Sequence, residues 1–207
     1  MPRSTAPMPA LDSGDHLTRI EFHQRYCARP DIRKAELVEG VVYVASPVRS
    51  DVHGEPHGDV VFWLNSYRAL HPELHVSDNA TVVLDADNEV QPDACLWREE
   101  PAGPRLAGGY IQGPPQLVVE VSATSASYDL HEKFRAYRRN GVKEYVVWRV
   151  FNDAIEWFRL NEDGEYVLVE PDRDGVIKSL EFPGLRLSVP KMLVGDLAGV
   201  RAALDAR

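Results

Sequence analysis

The run QLVVEVS, residues 116–122, constrains this chain more than any other stretch. It is apolar on both parities of an extended strand, so it needs cover on both faces and suits the centre of a sheet. Helix signals follow it. Leu130, Phe134 and Tyr137 form an apolar stripe, Ser125 or Ser127 is placed to cap, and Gly141 suits the left-handed C-terminal position. A second β-rich run, EYVVWRVF at 144–151, comes next. Strand, helix and strand in that order can make a crossover within one sheet. The pattern predicts an α/β (mixed α+β) domain built on a mixed central β-sheet flanked by helices.

The remaining segments extend this reading. Thr18 is placed to cap a short helix over 18–27. KAELVEGVVYVASP reads as two strands bent at Gly40. From Pro56, the spacing of Val60, Val61, Leu64, Tyr67 and Leu70 predicts a helix that stops before Pro72. TVVLD and EVQPDACLW read as strands, the second interrupted by Pro92, which demotes it to an edge, a bulge or a place needing no ladder donor. Residues 99–115, rich in Gly and Pro, read as a long loop. AIEWFRL pairs back on EYVVWRVF around Asn152-Asp153, and YVLVE follows the Asp163-Gly164 turn. The C-terminal part adds a hairpin region of short strands and a final helix. Residues 1–14 are expected to be a flexible tail and residues 15–207 one domain.

With 32 acidic against 23 basic residues, the formal charge of −9 argues against a surface coated for nucleic acid, while leaving room for a local basic groove. The N-terminal segment lacks the apolar core of a signal peptide, and no apolar run reaches membrane-spanning length, so a cytoplasmic protein with no membrane partner is expected. Cys27 and Cys95 lack metal-type spacing and read as buried or half-buried thiols of a reducing compartment.

Two acids stand out because each sits among apolar strand neighbours: Asp93 in EVQPDACLW and Glu120 in QLVVEVS. Acids on neighbouring strands can converge on a divalent cation through their oxygens. Each alone can equally be a structural acid, paired with an arginine or a backbone donor, or lying at an exposed strand end. On the following helix Lys133 has Asp129 four residues before it and Tyr137 four after. Spacing alone favours a solvated Asp–Lys pair, but Lys133 adjoins the Leu130/Phe134 stripe, so its ammonium could reach over the sheet edge towards the acids.

Taken in order, ELVEGVVYVASP, PHGDVVFWL, EVQPDACLW and QLVVEVSATSASYDLHEKFRAYRRNGVKEYVVW resemble the Uma-two family of restriction-endonuclease-like proteins, within the PD-(D/E)XK nuclease superfamily. The resemblance covers about residues 17–195 and implies a restriction-endonuclease-like core. It implies that Asp93 and Glu120 are the two site acids, that Glu36 of ELVEG is an upstream acid with Glu39 as a lesser substitute, and that His57 takes the family's histidine position. The superfamily expects a lysine two residues beyond the second acid; Ser122 stands there, and Lys133 is the replacement the resemblance suggests. His53, four residues before His57, raises a zinc pair in principle, but Pro56 lies between them and no third soft ligand is placed.

The implied chemistry is hydrolysis of DNA phosphodiester bonds with Mg²⁺, or Mn²⁺, held by Asp93, Glu120 and Glu36. Lys133 would stabilise the phosphate or orient the attacking water, and His57 would act as acid/base or hold a phosphate. SATSAS, at the start of the helix, could receive a phosphate oxygen or simply cap. Arg135, Arg138, Arg139 and Lys143 could contact the nucleic-acid backbone or simply complement a helix end. A non-catalytic nucleic-acid-binding or regulatory module that keeps the fold, and a hydrolase of smaller phosphoesters, are the alternatives. A homodimer is expected on general grounds, and Trp148, Phe151, Trp157 and Phe158 could supply its face or be core.

Overall fold

The central run and the crossover after it are found where the sequence places them. The computed structural model describes residues 9–45, 50–122 and 129–205. Among these, strands form two six-stranded sheets and one separate hairpin. The first sheet takes β1 (Ala35–Val38), β2 (Val41–Val44), β4 (Val82–Val83), β5 (Glu89–Val90), β7 (Arg105–Ala107) and β8 (Tyr110–Gln112), in the order β2-β1-β5-β4-β8-β7. The second takes β3 (His75–Asp78), β6 (Ala94–Trp97), β9 (Leu117–Ser122), β10 (Glu144–Arg149), β11 (Ala154–Leu160) and β12 (Tyr166–Leu168), in the order β12-β11-β10-β9-β6-β3. β13 (Val176–Lys178) and β14 (Arg186–Ser188) form the C-terminal hairpin.

β9 lies third from one edge, between β6 and β10, and all six of its residues are buried. It runs parallel to β10, with Glu120 opposite Val147. The connection between them contains a π-type turn (Asp129–Lys133) and α3 (Phe134–Arg139). The proposed caps Ser125 and Ser127 lie outside the described residues. The earlier helices are α1 (Arg19–Cys27) and α2 (Glu55–Arg68), and α4 (Val189–Leu193) and α5 (Leu197–Asp205) close the described chain.

Alternation sorts the core into layers. Leu117, Val119 and Val121 of β9 join Trp63 and Leu64 of α2 and Trp157 of β11 in one apolar cluster. Val118 points the other way, to Tyr137 and Tyr145. Phe22 of α1 packs with Ala35, Leu37, Val42 and Leu11 in a third cluster. Leu11 is only 2% exposed, so packing begins inside the segment expected to be a tail. Trp148 and Trp157 are core residues, while Phe151 is exposed.

Local chemistry explains the joints. Glu39 and Gly40 have φ of 52° and 77°, which supplies the twist that a tight hairpin between β1 and β2 needs. Thr18 caps α1, its hydroxyl oxygen accepting from the Glu21 N–H at 3.3 Å. Thr18→Ala should lower stability by about 1 kcal/mol, read from the urea midpoint.

Three segments depart from expectation. The 99–115 stretch carries the β7–β8 hairpin instead of an unstructured loop; its Gly108-Gly109 turn has φ of 61° and 86°. LHVSDNA, too polar to signal a strand, forms β3 as an edge beside β6. EVQPDACLW is two strands rather than one: β5 belongs to the first sheet and β6 to the second. Pro92 stands at the crossing, where its missing N–H leaves no ladder bond unmade.

Candidate active site

Strand parity carries the acids to one layer. Glu36 and Val38 share a face of β1, Glu120 and Val118 a face of β9, and both valines belong to the cluster that contains Tyr137. Asp93 immediately precedes β6, whose Ala94 is paired with Val119 of β9. The three acids are between 2% and 6% exposed. Burial on this scale needs compensation from charge and hydrogen bonds.

Lys133 supplies it for two of them. Its ammonium lies 2.9 Å from Glu36 Oε2 and 2.9 Å from Glu120 Oε1, and the residue is 2% exposed. The Tyr137 hydroxyl, one helical turn on, donates to the same Glu120 oxygen at 2.8 Å. Burial, then the charges of Glu120 and Glu36, hold the Tyr137 phenol well above its ordinary range, so it remains a donor. Glu36 Oε1 accepts the Gln91 backbone N–H at 2.7 Å. The side chain of Asp129 lies outside the described residues.

Asp93 has its own set. Lys34 donates to Oδ1 at 2.9 Å, while Oδ2 accepts the Val121 N–H at 2.8 Å and lies 3.2 Å from His53 Nε2. Burial alone would raise the Asp93 carboxyl. The His53 hydrogen bond and the charges of Lys34 and Lys133 outweigh it and hold the group far below the usual carboxylate range. Burial pulls Lys34 down, but Asp93, then Glu36, more than restores it, and its ammonium ends above its ordinary value.

The structure therefore brings Glu36, Asp93, Glu120 and Lys133 into one electrostatic cluster. His57 stands beside it: its Nε2 meets the Asp93 backbone oxygen at 2.9 Å and Asp78 Oδ1 at 3.1 Å, while His53 faces the carboxylate. A π-type turn (Ser50–Gly54) running into α2 sets the two imidazoles 5.8 Å apart, and Pro56 fits in the first turn of the helix. Glu39 lies in the hairpin turn and pairs with Arg139 at 2.9 Å. Arg135 and Arg138 are likewise engaged, with Glu132 and Glu165. SATSAS, apart from Ser122, lies outside the described residues.

Lys34 is the residue the sequence reading missed. Its signal was parity, since Lys34, Glu36 and Val38 alternate onto one face. The spacing places Tyr137 in an apolar stripe, yet its hydroxyl reaches Glu120 in the candidate site. The cation shared by Glu36 and Glu120 here is an ammonium. Among the described residues no three His, Cys, Asp or Glu side chains are gathered so as to hold a metal ion.

This geometry can be set beside known proteins. The pattern of the Uma2 family, described as "Putative restriction endonuclease", matches residues 20–190. The chain belongs to the Uma2 family. The Uma2 match contains the whole acid–lysine cluster. No curated protein matches the chain. Among solved structures, the crystal structure of a "putative nuclease belonging to DUF820" from Anabaena variabilis superposes with a TM-score of 0.65 at 14% identity, covering 83% of this chain and 96% of that one. This Uma2 chain thus has a nuclease-like fold of mixed sheets flanked by helices. Among its described residues no helix is long and apolar enough to cross a membrane.

Proposed function

We propose that this protein is a metal-dependent endonuclease hydrolysing DNA phosphodiester bonds, with Asp93, Glu120 and Glu36 as the acids and Lys133 as the cationic group of the site. The observation that carries the reading is the meeting of Lys133 with Glu36 and Glu120 inside the protein, next to a carboxylate held ionised by Lys34 and His53. The donor chemistry is right in kind, since three carboxylates offer the hard oxygens that Mg²⁺ or Mn²⁺ prefers; in this arrangement lysines occupy them, and an ion would have to draw them together. A bound ion would lower the pKa of a water and neutralise charge on the scissile phosphate. Lys133 then has two tasks. It neutralises the acids in this arrangement, and it would be the charge offered to a phosphate oxygen once an ion took over the acids. Tyr137 and the Gln91 N–H hold Glu120 and Glu36 in orientation.

A second reading has its own support. The acids are already matched by lysines, and the −9 charge disfavours a long polyanion, as in a nucleic-acid-binding or regulatory module that no longer cuts. Incubation with plasmid and linear DNA in Mg²⁺ or Mn²⁺ separates the two. The wild type should cut and EDTA should stop it; Asp93→Asn and Glu120→Gln should each lose at least tenfold in rate while remaining folded. Equal cutting by all three proteins overturns the site. DNA retention without cutting favours the module.

A further inference from the structure

A second group of reactive side chains lies on the other face of the first sheet. Helix α1 ends on Cys27, whose thiol is exposed rather than half-buried. One turn earlier stands His23, its Nε2 3.6 Å from the Cys27 sulfur. The other ring nitrogen, Nδ1, lies 2.7 Å from Oε1 of Glu89, a residue only 2% exposed. A carboxylate can only accept, so Nδ1 donates to Glu89, and in the neutral ring Nε2 then turns its lone pair to the thiol. Arg19, one turn before His23, steadies the other Glu89 oxygen at 3.5 Å.

A third element closes the group. Tyr110 of β8 meets the His23 ring edge-on, with centroids 5.2 Å apart and planes at 89°. Tyr110 also lies near Cys27, and a charge on that sulfur would push the Tyr110 phenol up. The thiol thus has a base beside it, the Tyr110 ring packs edge-on against that base, and the base is held by a buried acid. This is the order nucleophile, base, orienting acid. The C-terminal end of α1 works against a thiolate, so stabilisation has to come from His23. Leu37, which is paired with Glu89, belongs to the α1 cluster, whereas Glu36 faces the opposite layer. The two groups are therefore separate.

We propose that Cys27, His23 and Glu89 form a thiol site at which Cys27 is oxidised by hydroperoxides. The thiol proton passes to His23 Nε2. The sulfur attacks the terminal peroxide oxygen, forming an S–O bond as the O–O bond breaks. The leaving hydroxide or alkoxide takes the proton from His23 and departs as water or alcohol. Cys27 becomes a sulfenic acid and the peroxide is reduced by two electrons. Cys95 is the internal contrast: it is buried, and burial pushes its thiol up to about 12.

The test treats the full chain with hydrogen peroxide at pH 7, traps sulfenic acid with dimedone, and follows adducts at each cysteine by mass spectrometry. Cys27 should be labelled and Cys95 not. His23→Gln and Glu89→Gln should each slow Cys27 labelling about tenfold or more, and Cys27→Ser should abolish it. Thermal melts establish that the variants are folded; if His23→Gln does not fold, Glu89→Gln carries the comparison. The pH profile adds a readout that a structural role would not move: the labelling rate of the variants should rise with pH like that of an unassisted thiol, and the wild-type rate should level off earlier. Equal rates and profiles in the wild type and a folded variant overturn the proposal, as does equal labelling of Cys95.

Discussion

Lys133→Met should lower the free energy of unfolding by about 3–5 kcal/mol, the largest stability effect expected of any substitution at the site. The lysine itself is buried, and it serves two carboxylates at 2.9 Å each. Methionine preserves much of the stem volume, so the loss is electrostatic: Glu36 and Glu120 would lose their shared cation while still being held in the interior. Tyr137 and the Gln91 N–H retain one hydrogen bond to each acid but bring no formal charge. Urea unfolding measures the loss, and the triple variant with Glu36→Gln and Glu120→Gln should recover much of it, because the repulsion leaves with the charges. A loss below about 1 kcal/mol would mean that the acids are neutralised some other way.

Asp93→Asn should cost roughly 2–3 kcal/mol at neutral pH, the scale of hydrogen bonds to an ionised group. It should also change the acid limb of the stability curve. The folded Asp93 binds a proton far less readily than the unfolded chain does, because His53, Lys34 and Lys133 favour its charge. Its contribution is therefore fully present above the ordinary carboxylate range, near pH 4, and declines as pH falls below that towards the folded value. The amide of the Asp93→Asn variant would have no proton to take up. The wild type should thus lose stability more steeply than Asp93→Asn between about pH 5 and pH 2, with the curves converging at the acid end. Parallel curves would show that Asp93 is not held as an ion.

Elements with strong local chemistry were legible in the sequence. The Thr18 cap, the apolar stripe of α2 as far as Tyr67, the turns at Gly40 and Asn152-Asp153, and the parallel pairing of β9 with β10 all follow from periodicity and turn residues, whereas Leu70 lies past the helix and is exposed. Short strands were not. β3 is polar because it lies at an edge, and β7 and β8 have three residues each, too few for a period to emerge among glycines and prolines. For the site, parity picked out Asp93 and Glu120 as anomalies, and the family resemblance supplied Glu36, Lys133 and His57. Lys34 escaped because a lysine just ahead of a strand reads as solvated; only the fold shows that its neighbour is Asp93, 59 positions away.

The break at Gln91-Pro92-Asp93 has a wider consequence. At its first residue the Gln91 N–H is tied to Glu36 of the first sheet; at its last, the Asp93 carboxylate is tied to the Val121 N–H of the second. Lys133 spans the same seam by binding Glu36 and Glu120 together. The atoms proposed to do chemistry are thus also the mortar between two walls. A relative that did not cut would still need them, or else apolar residues in their place, to keep that joint. A substitution that tests the proposed chemistry in this protein therefore also tests the joint between its two sheets.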